Sequence, residues 1–114
     1  MTPEKMAAVS KLIRNAYGTD NRAPGAWTEI FLHCMQAKDL GILAQDLIGL
    51  TGCSQGIISR AVSIGSQTFN PETRKVEGAD LFDKQLDLFH KHRVRIFLSK
   101  KGKLLAQEVE KLMA

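Results

Sequence analysis

The stretch Leu43 to Ile64, LAQDLIGLTGCSQGIISRAVSI, carries two short helical patterns on either side of Thr51-Gly52-Cys53-Ser54. Few folds accommodate two helices broken this sharply, and the pattern reads as a helix-turn-helix. In the first half Leu43, Leu47 and Leu50 recur at spacings of four and three, which predicts one apolar helix face and a core for it to pack against. Gly52 is suited to ending that helix, because glycine takes the left-handed conformation without a Cβ clash. Ser54 is suited to starting the next one as an N-cap. Beyond it, Ile57, Ile58, Ala61, Val62 and Ile64 share the inward half and leave Gln55, Gly56, Ser59, Arg60 and Ser63 outward. Those outward types can read base edges: Arg suits guanine, Gln suits adenine, Ser is permissive, and Gly56 lets backbone come close to a phosphate.

A second signal lies near the end, in RVRIFLSKKGKLLAQEVEKL. Val94, Ile96 and Leu98 alternate with Arg93, Arg95 and Phe97, the period of a strand with one buried face, and this points both arginines the same way. Ser99 then caps a closing helix whose stripe is Leu105, Val109 and Leu112, widened by Leu104 and Met113.

The two stretches together resemble the MarR-type winged-helix regulators, including small versions found in bacteriophages. DLIGLTGCSQGIISRAV is similar to that family's helix-turn-helix, and RVRIFLSKKGK to its second wing strand followed by the Leu-(Ser/Thr)-x-x-Gly-(Lys/Arg) start of its closing helix. The resemblance implies a mainly α fold with a small β-wing (α+β), a winged helix-turn-helix occupying residues 1–114 as one domain. In that plan the helix-turn-helix spans about 43–64, the wing about 79–98, and the terminal helices about 3–17 and 99–113. It also implies a homodimer formed through the terminal helices, with helix Ser54 to Ile64 entering the major groove and the wing touching flanking DNA. Ser54, Gln55, Gly56, Ser59, Arg60, Lys91, Arg93 and Arg95 are the expected DNA-binding residues. Where the family carries an Asp and Arg pair at the wing tip, this chain has His90-Lys91-His92.

From the start of the chain, Thr2 is a candidate N-cap, Pro3 fits the first helical position, and Glu4 complements the helix dipole. Met6, Val9, Ile13 and Tyr17 form a stripe that Leu12 widens, and Gly18 can stop the helix. A polar loop is expected from Gly18 to Ala23. Pro24 and Gly25 then begin a helix with Trp27, Ile30, Phe31, Cys34 and Met35 at i, i+3, i+4, i+7 and i+8. Trp27 and Phe31 read as core residues before they read as walls of an effector pocket. Leu40 to Ile42 is too short for a helix and fits a small strand that pairs with the wing. SQTFNPETRKVEGAD, residues 66–80, mixes turn formers with both signs of charge and is expected to be an extended loop, with turns at Asn70-Pro71 and Gly78 and with Phe69 and Val76 pinning it to the body. The first wing strand falls in Ala79 to Gln85 or in Leu86 to His90.

At 114 residues and 44% hydrophobic content the chain can bury a modest core as one domain. It shows no signal-like start and no apolar run of membrane-spanning length, so a cytoplasmic protein without a membrane partner is expected. The net charge of +4 favours a polyanionic partner. Lys91, Arg93, Arg95, Lys100, Lys101 and Lys103 cluster between positions 90 and 103 with His90 and His92 and no acidic residue. No catalytic constellation stands out, so the chain is read as a non-enzyme without cofactor or metal. Cys34 and Cys53 are far from any Cys-x-x-Cys spacing and sit at core-like positions, where they act as small hydrophobes. The expected function is a sequence-specific double-stranded DNA-binding transcriptional regulator acting as a homodimer on an inverted repeat, and the sequence names no small-molecule effector. The alternative is a winged-helix protein-interaction module, for example a phage protein binding a host factor. Salt dependence separates the two, because phosphate contacts make affinity fall steeply with salt.

Overall fold

The structure is a computed structural model, and it describes residues 2–17, 24–66, 68–87, 89 and 93–114; at 24, 25, 68–70, 76 and 77 it describes the backbone alone. The loop expected at Gly18 to Ala23, the anchoring side chains expected of Phe69 and Val76, and His90, Lys91 and His92 lie outside what is described. Helix α1 runs Pro3–Tyr17, with Thr2 Oγ1 accepting from the Lys5 N–H at 3.2 Å, as an N-cap does. Helix α2 follows at Pro24–Ala37, and a 3-10 turn at Lys38–Leu40 leads into the two-residue strand β1, Ile42–Leu43. Helices α3 (Ala44–Thr51) and α4 (Gln55–Gly65) form the helix-turn-helix, bent by 118° at a three-residue turn. Strands β4 (Phe82–Leu86) and β5 (Val94–Leu98) form the wing, and α5 (Lys100–Met113) closes the chain. Between α4 and the wing lie β2 (Thr68–Asn70) and β3 (Lys75–Glu77).

Trp27, Ile30, Phe31 and Cys34 of α2 are buried at the centre of one core that also takes Val9, Ile13 and Tyr17 from α1, Leu47 from α3, Ile58, Ala61 and Val62 from α4, and Leu105 and Val109 from α5. Tyr17 stacks on Trp27 with ring centroids 4.5 Å apart, and Phe82 brings the wing into the same cluster, tilted against Tyr17 and Phe31 at 6.1 and 6.2 Å. These aromatic contacts couple the wing base to the α1–α2 layer.

Three details depart from the sequence reading. Only Leu47 of the expected leucine stripe is buried: Leu43 belongs to β1 and is half-buried, and Leu50 is 57% exposed. Helix α3 turns Ala44, Leu47 and Ile48 inward, and Leu50, two residues past Ile48, falls on nearly the opposite side of a 3.6-residue turn. Ile57 departs similarly, exposed at the edge of the face that Ile58, Ala61, Val62 and Gly65 bury. The expected loop at 66–80 contains a hairpin, in which Thr68, Phe69 and Asn70 pair with Glu77, Val76 and Lys75 around the four-residue turn 71–74. Arg74 closes that turn with φ of 57°, a left-handed residue that no glycine announced in the sequence.

The three-stranded sheet has the order β1-β5-β4, antiparallel throughout. Its register pairs Phe82 with Leu98, Lys84 with Ile96 and Leu86 with Val94, so the first wing strand lies at 82–86. The segment 79–81 locks this sheet to the helices on both sides: Ala79 and Leu81 N–H groups donate to the Ile64 and Gly65 carbonyls, and the Leu81 carbonyl accepts from Ser99 N–H at 2.9 Å. The last carbonyls of α4, which have no partner within their helix, are thereby satisfied. Ser99 Oγ accepts from Gly102 N–H at 3.0 Å and donates to the Asp80 carbonyl at 2.5 Å, which fixes the start of α5. A Cβ at Gly102 would collide with the Leu81 carbonyl, so the closing-helix motif carries glycine here for close packing.

Candidate nucleic-acid interface

The turn before α4 is built from short-range bonds. Gly52 adopts φ 72°, ψ 6°, and its N–H donates to the Ile48 carbonyl at 3.0 Å, ending α3 in a left-handed cap. Thr51 Oγ1 donates to the Leu47 carbonyl at 2.7 Å and accepts from Cys53 N–H at 3.2 Å, a role that the sequence reading did not give to Thr51. Ser54 accepts from Ile57 N–H at 3.2 Å and caps α4. The cap fixes the N-terminal end of α4, whose free N–H groups suit an anion.

Gln55, Gly56, Ser59, Arg60 and Ser63 are all exposed, while Ile58, Ala61 and Val62 hold the opposite side of α4 in the core. The outward face is therefore rigidly mounted. Beside it a groove of about 450 Å³ runs between the helix-turn-helix and the wing, walled by Gln45, Gln55, Ser59 and Ser63 on one side and by Lys84, Arg93 and Val94 on the other. This groove joins Gln55, Ser59 and Arg93 among the expected site residues, and Arg60 lies on the exposed helix face outside its walls. Lys84 and Gln45 were missed. Lys84 shares the strand face of Phe82, a placement readable from period two only once the wing register is known.

Arg95, another of the expected site residues, is engaged within the wing. Its Nε donates to Asp87 Oδ1 at 3.2 Å and its Nη1 to the Leu40 carbonyl at 3.1 Å, with 30% of the side chain exposed and Asp87 buried. The reason is β1: its pairing of Leu43 with Arg95 brings the Leu40 and Gly41 carbonyls within reach of the guanidinium. An Asp and Arg pair is thus present across the wing. Asp87 N–H also donates to the Arg93 carbonyl at 2.9 Å, so the ladder extends one position past Leu86 and Val94. The expected basic cluster divides in the same way. Lys101 Nζ donates to the Ala79 carbonyl at 3.0 Å, Lys103 pairs with exposed Asp39 at 3.5 Å, and Arg93 remains at the groove.

The overall geometry matches solved structures closely in shape. It superimposes on MepR from S. aureus, from a crystal structure of the MepR-DNA complex, with a TM-score of 0.66 over 96% of this chain and 77% of that one, at 13% identity. MarR gives 0.60 over 96% and 70% at 14% identity, and a MarR transcriptional regulator from Methanosarcina mazei Go1 gives 0.58 over 96% and 66% at 20% identity. The chain has the MarR-type winged-helix fold. At the level of sequence no protein-family model and no curated protein matches it. Relative to that fold α4 is the second helix of the helix-turn-helix, and β4 with β5 is the wing.

Among the described residues no group of three or more His, Cys, Asp or Glu side chains comes together as a metal site, and no single helix is long and apolar enough to cross a membrane. Cys34 is buried on α2, and burial pushes its thiol up to about 12; Cys53 is half-buried against the core. Trp27 Nε1 is buried without a hydrogen-bond partner, and Tyr17 OH donates to the Trp27 carbonyl at 3.5 Å.

Proposed function

We propose that the chain is a sequence-specific double-stranded DNA-binding transcription regulator that acts as a homodimer on an inverted-repeat operator. The carrying observation is the groove that sets the exposed polar face of α4 opposite a wing bearing Lys84 and Arg93. A polar helix face mounted on a buried apolar one can enter a major groove while cationic wing residues meet adjacent phosphates. The fold shared with MepR, whose solved complex contains DNA, supports this reading. In it Gln55, Ser59 and Arg60 read base edges, Ser54 and Gly56 bring the helix N-terminus to a phosphate, and Arg93, with Lys91, supplies backbone attraction. Arg95 holds the wing in place of contacting DNA.

Dimerisation has its own support in apolar side chains left in water. Val9, Ile13, Leu105 and Val109 are spent in the core and Leu112 is half-buried against it, whereas Met6 on α1 and Leu104 and Met113 on α5 are exposed. Pairing two copies through the terminal helices would cover these and set two α4 helices about one DNA turn apart. The test is selection of bound duplexes from a random library. Enrichment of an inverted repeat is expected, and Arg60→Ala should lose about 1–3 kcal/mol and relax preference at one base pair per half-site. Failure to enrich any duplex, with affinity insensitive to salt, would point to a protein partner and overturn the reading.

A further inference from the structure

Phe89, Leu40 and Leu86 are the three most exposed large apolar side chains among the described residues, and two of them belong to one end of the wing. Phe89 is 88% exposed and Leu86 67%. Phe89 lies two residues past the last ladder hydrogen bond, between Asp87 and Arg93, and so stands beyond the part of the hairpin that the sheet can hold. Leu86 pairs across the strands with Val94, which lines the groove beside α4, so the groove wall continues outward as an apolar surface. Cations flank that surface: Lys84 on the same strand face as Leu86, and Arg93 opposite Asp87. Scattered exposed hydrophobes need no explanation by themselves. An aromatic ring beyond the sheet, on a hairpin that carries Lys84 and Arg93 with Asp83 beside them and lies across a groove from the polar face of α4, is a more specific arrangement. It suits a partner that is anionic at its rim and stacked and apolar within.

Resting on the reading of the chain as a duplex-DNA binder, we propose that Phe89 is a wedge. It inserts against a base step in the minor groove beside the base pairs read by α4, unstacking that step and bending the duplex, with Leu86 covering the opened edge. Apolar side chains of this kind enter the minor groove between base steps and kink the helix toward the major groove. Arg93 and Lys84 would hold the phosphates on either side while the ring enters. The consequence for selectivity is indirect. Steps that unstack easily, such as TA or CA, would be preferred at a position that no side chain hydrogen-bonds.

The experiment uses the full chain and a duplex enriched by it from a random library, with 2-aminopurine substituted in turn at each step flanking the α4 site. Wild type should raise 2-aminopurine emission severalfold at one step per half-site. Phe89→Ala should abolish that rise and lower affinity about tenfold, within the range for losing one aromatic stacking partner, while leaving the base preference at the α4 positions intact. The slope of log affinity against log salt should stay unchanged, because no phosphate contact is lost. Phe89→Trp should keep the emission rise, and its new indole should be quenched on binding. Enrichment of an operator with flat 2-aminopurine emission, or Phe89→Ala with wild-type affinity, would overturn the wedge and leave the DNA reading standing. Failure of the wild type to enrich any duplex would overturn both. A change in sedimentation of the free protein on Phe89→Ala, without a change at the DNA, would identify the tip as a protein contact and sink the proposal.

Discussion

The turn between α3 and α4 is held by partners within four positions in the chain, whereas the wing is held by partners up to about fifty-five positions away. Gly52 to Ile48, Thr51 to Leu47, Cys53 to Thr51 and Ser54 to Ile57 are all local bonds. Across the wing, Arg95 reaches Leu40, Lys101 reaches Ala79, and Ser99 reaches Asp80 and Leu81. Local bonds follow from residue type and spacing, so the turn can be read from a one-dimensional string. Long-range bonds require the register first. The contrast also divides the two parts by how they should fail: damage to the turn should stay local, and damage to the wing base should spread.

The largest effect should come from the core beneath the helix-turn-helix. Leu47 is fully buried on α3, and Leu47→Ala should cost about 2–5 kcal/mol by lost transfer and cavity formation. Leu50→Ala should cost under about 0.5 kcal/mol, since the side chain is already in water. Urea midpoints at a common m-value decide this. Equal losses would restore the stripe expected from the sequence and refute the observed rotation of α3.

Next come the two glycines that stand for the two parts. Gly102→Ala should destabilise by about 2–3 kcal/mol, because the new Cβ meets a backbone carbonyl that also accepts from Ser99. Gly52→Ala should cost about 1 kcal/mol, since there is open space around it and only its left-handed conformation resists a side chain. Hydrogen exchange should separate them further. Gly102→Ala should loosen amides in β4, β5 and the end of α4 together, and Gly52→Ala only those of the turn; identical patterns would erase the contrast.

How much was legible follows the same division. Capping by Thr2, Ser54 and Ser99, the left-handed Gly52, the α2 core face and the outward set Gln55, Gly56, Ser59, Arg60 and Ser63 were all readable, because each depends on a period or a cap within one or two turns. The sequence leaves the wing register between two alternatives, and the placement of Lys84 and the partner of Arg95 depend on it; the 68–77 hairpin, a separate sheet, turns on a left-handed Arg74 that residue type does not announce. Alternation placed Arg93 and Arg95 alike. It could not show that a two-residue strand forty residues or more earlier would bring carbonyls onto one of them.

That pair gives the third expectation. Arg95→Ala should lower stability by about 1–2 kcal/mol: it leaves the buried Asp87 carboxylate without its cation, with the loss reduced because the guanidinium is partly in water. Its effect on DNA should be a uniform weakening with little change in salt slope. Arg93→Ala should leave stability within about 0.5 kcal/mol and make the log-log salt slope shallower by about 0.9, the signature of one lost phosphate contact. If the slopes respond in the reverse order, Arg95 leaves Asp87 on binding and the wing rearranges.

The last effect is absent at neutral pH and concerns the two cysteines, one in the α2 core and one in the turn. Burial raises the Cys34 thiol from its usual 9.0 to about 12, and Tyr17 beside it is also raised, by burial first and then by Cys34. Between about pH 9 and 12 the folded chain keeps the Cys34 proton that the unfolded chain releases. The unfolded state therefore binds fewer protons, and stability falls as pH rises through that window, by at most about 1.4 kcal/mol per pH unit for one group. Below pH 9 the full contribution is present. Cys34→Ala should flatten the first part of this alkaline decline and leave the later part, which belongs to Tyr17. At pH 7 Cys34 is held as the unreactive thiol in the core, so alkylation should reach half-buried Cys53 first, and peroxide should leave DNA binding unchanged. Labelling of Cys34 at the rate of Cys53 in the native protein would mean that α2 opens far more easily than its buried face implies. Peroxide-driven loss of binding that vanishes in Cys34→Ser would make the same core a redox switch.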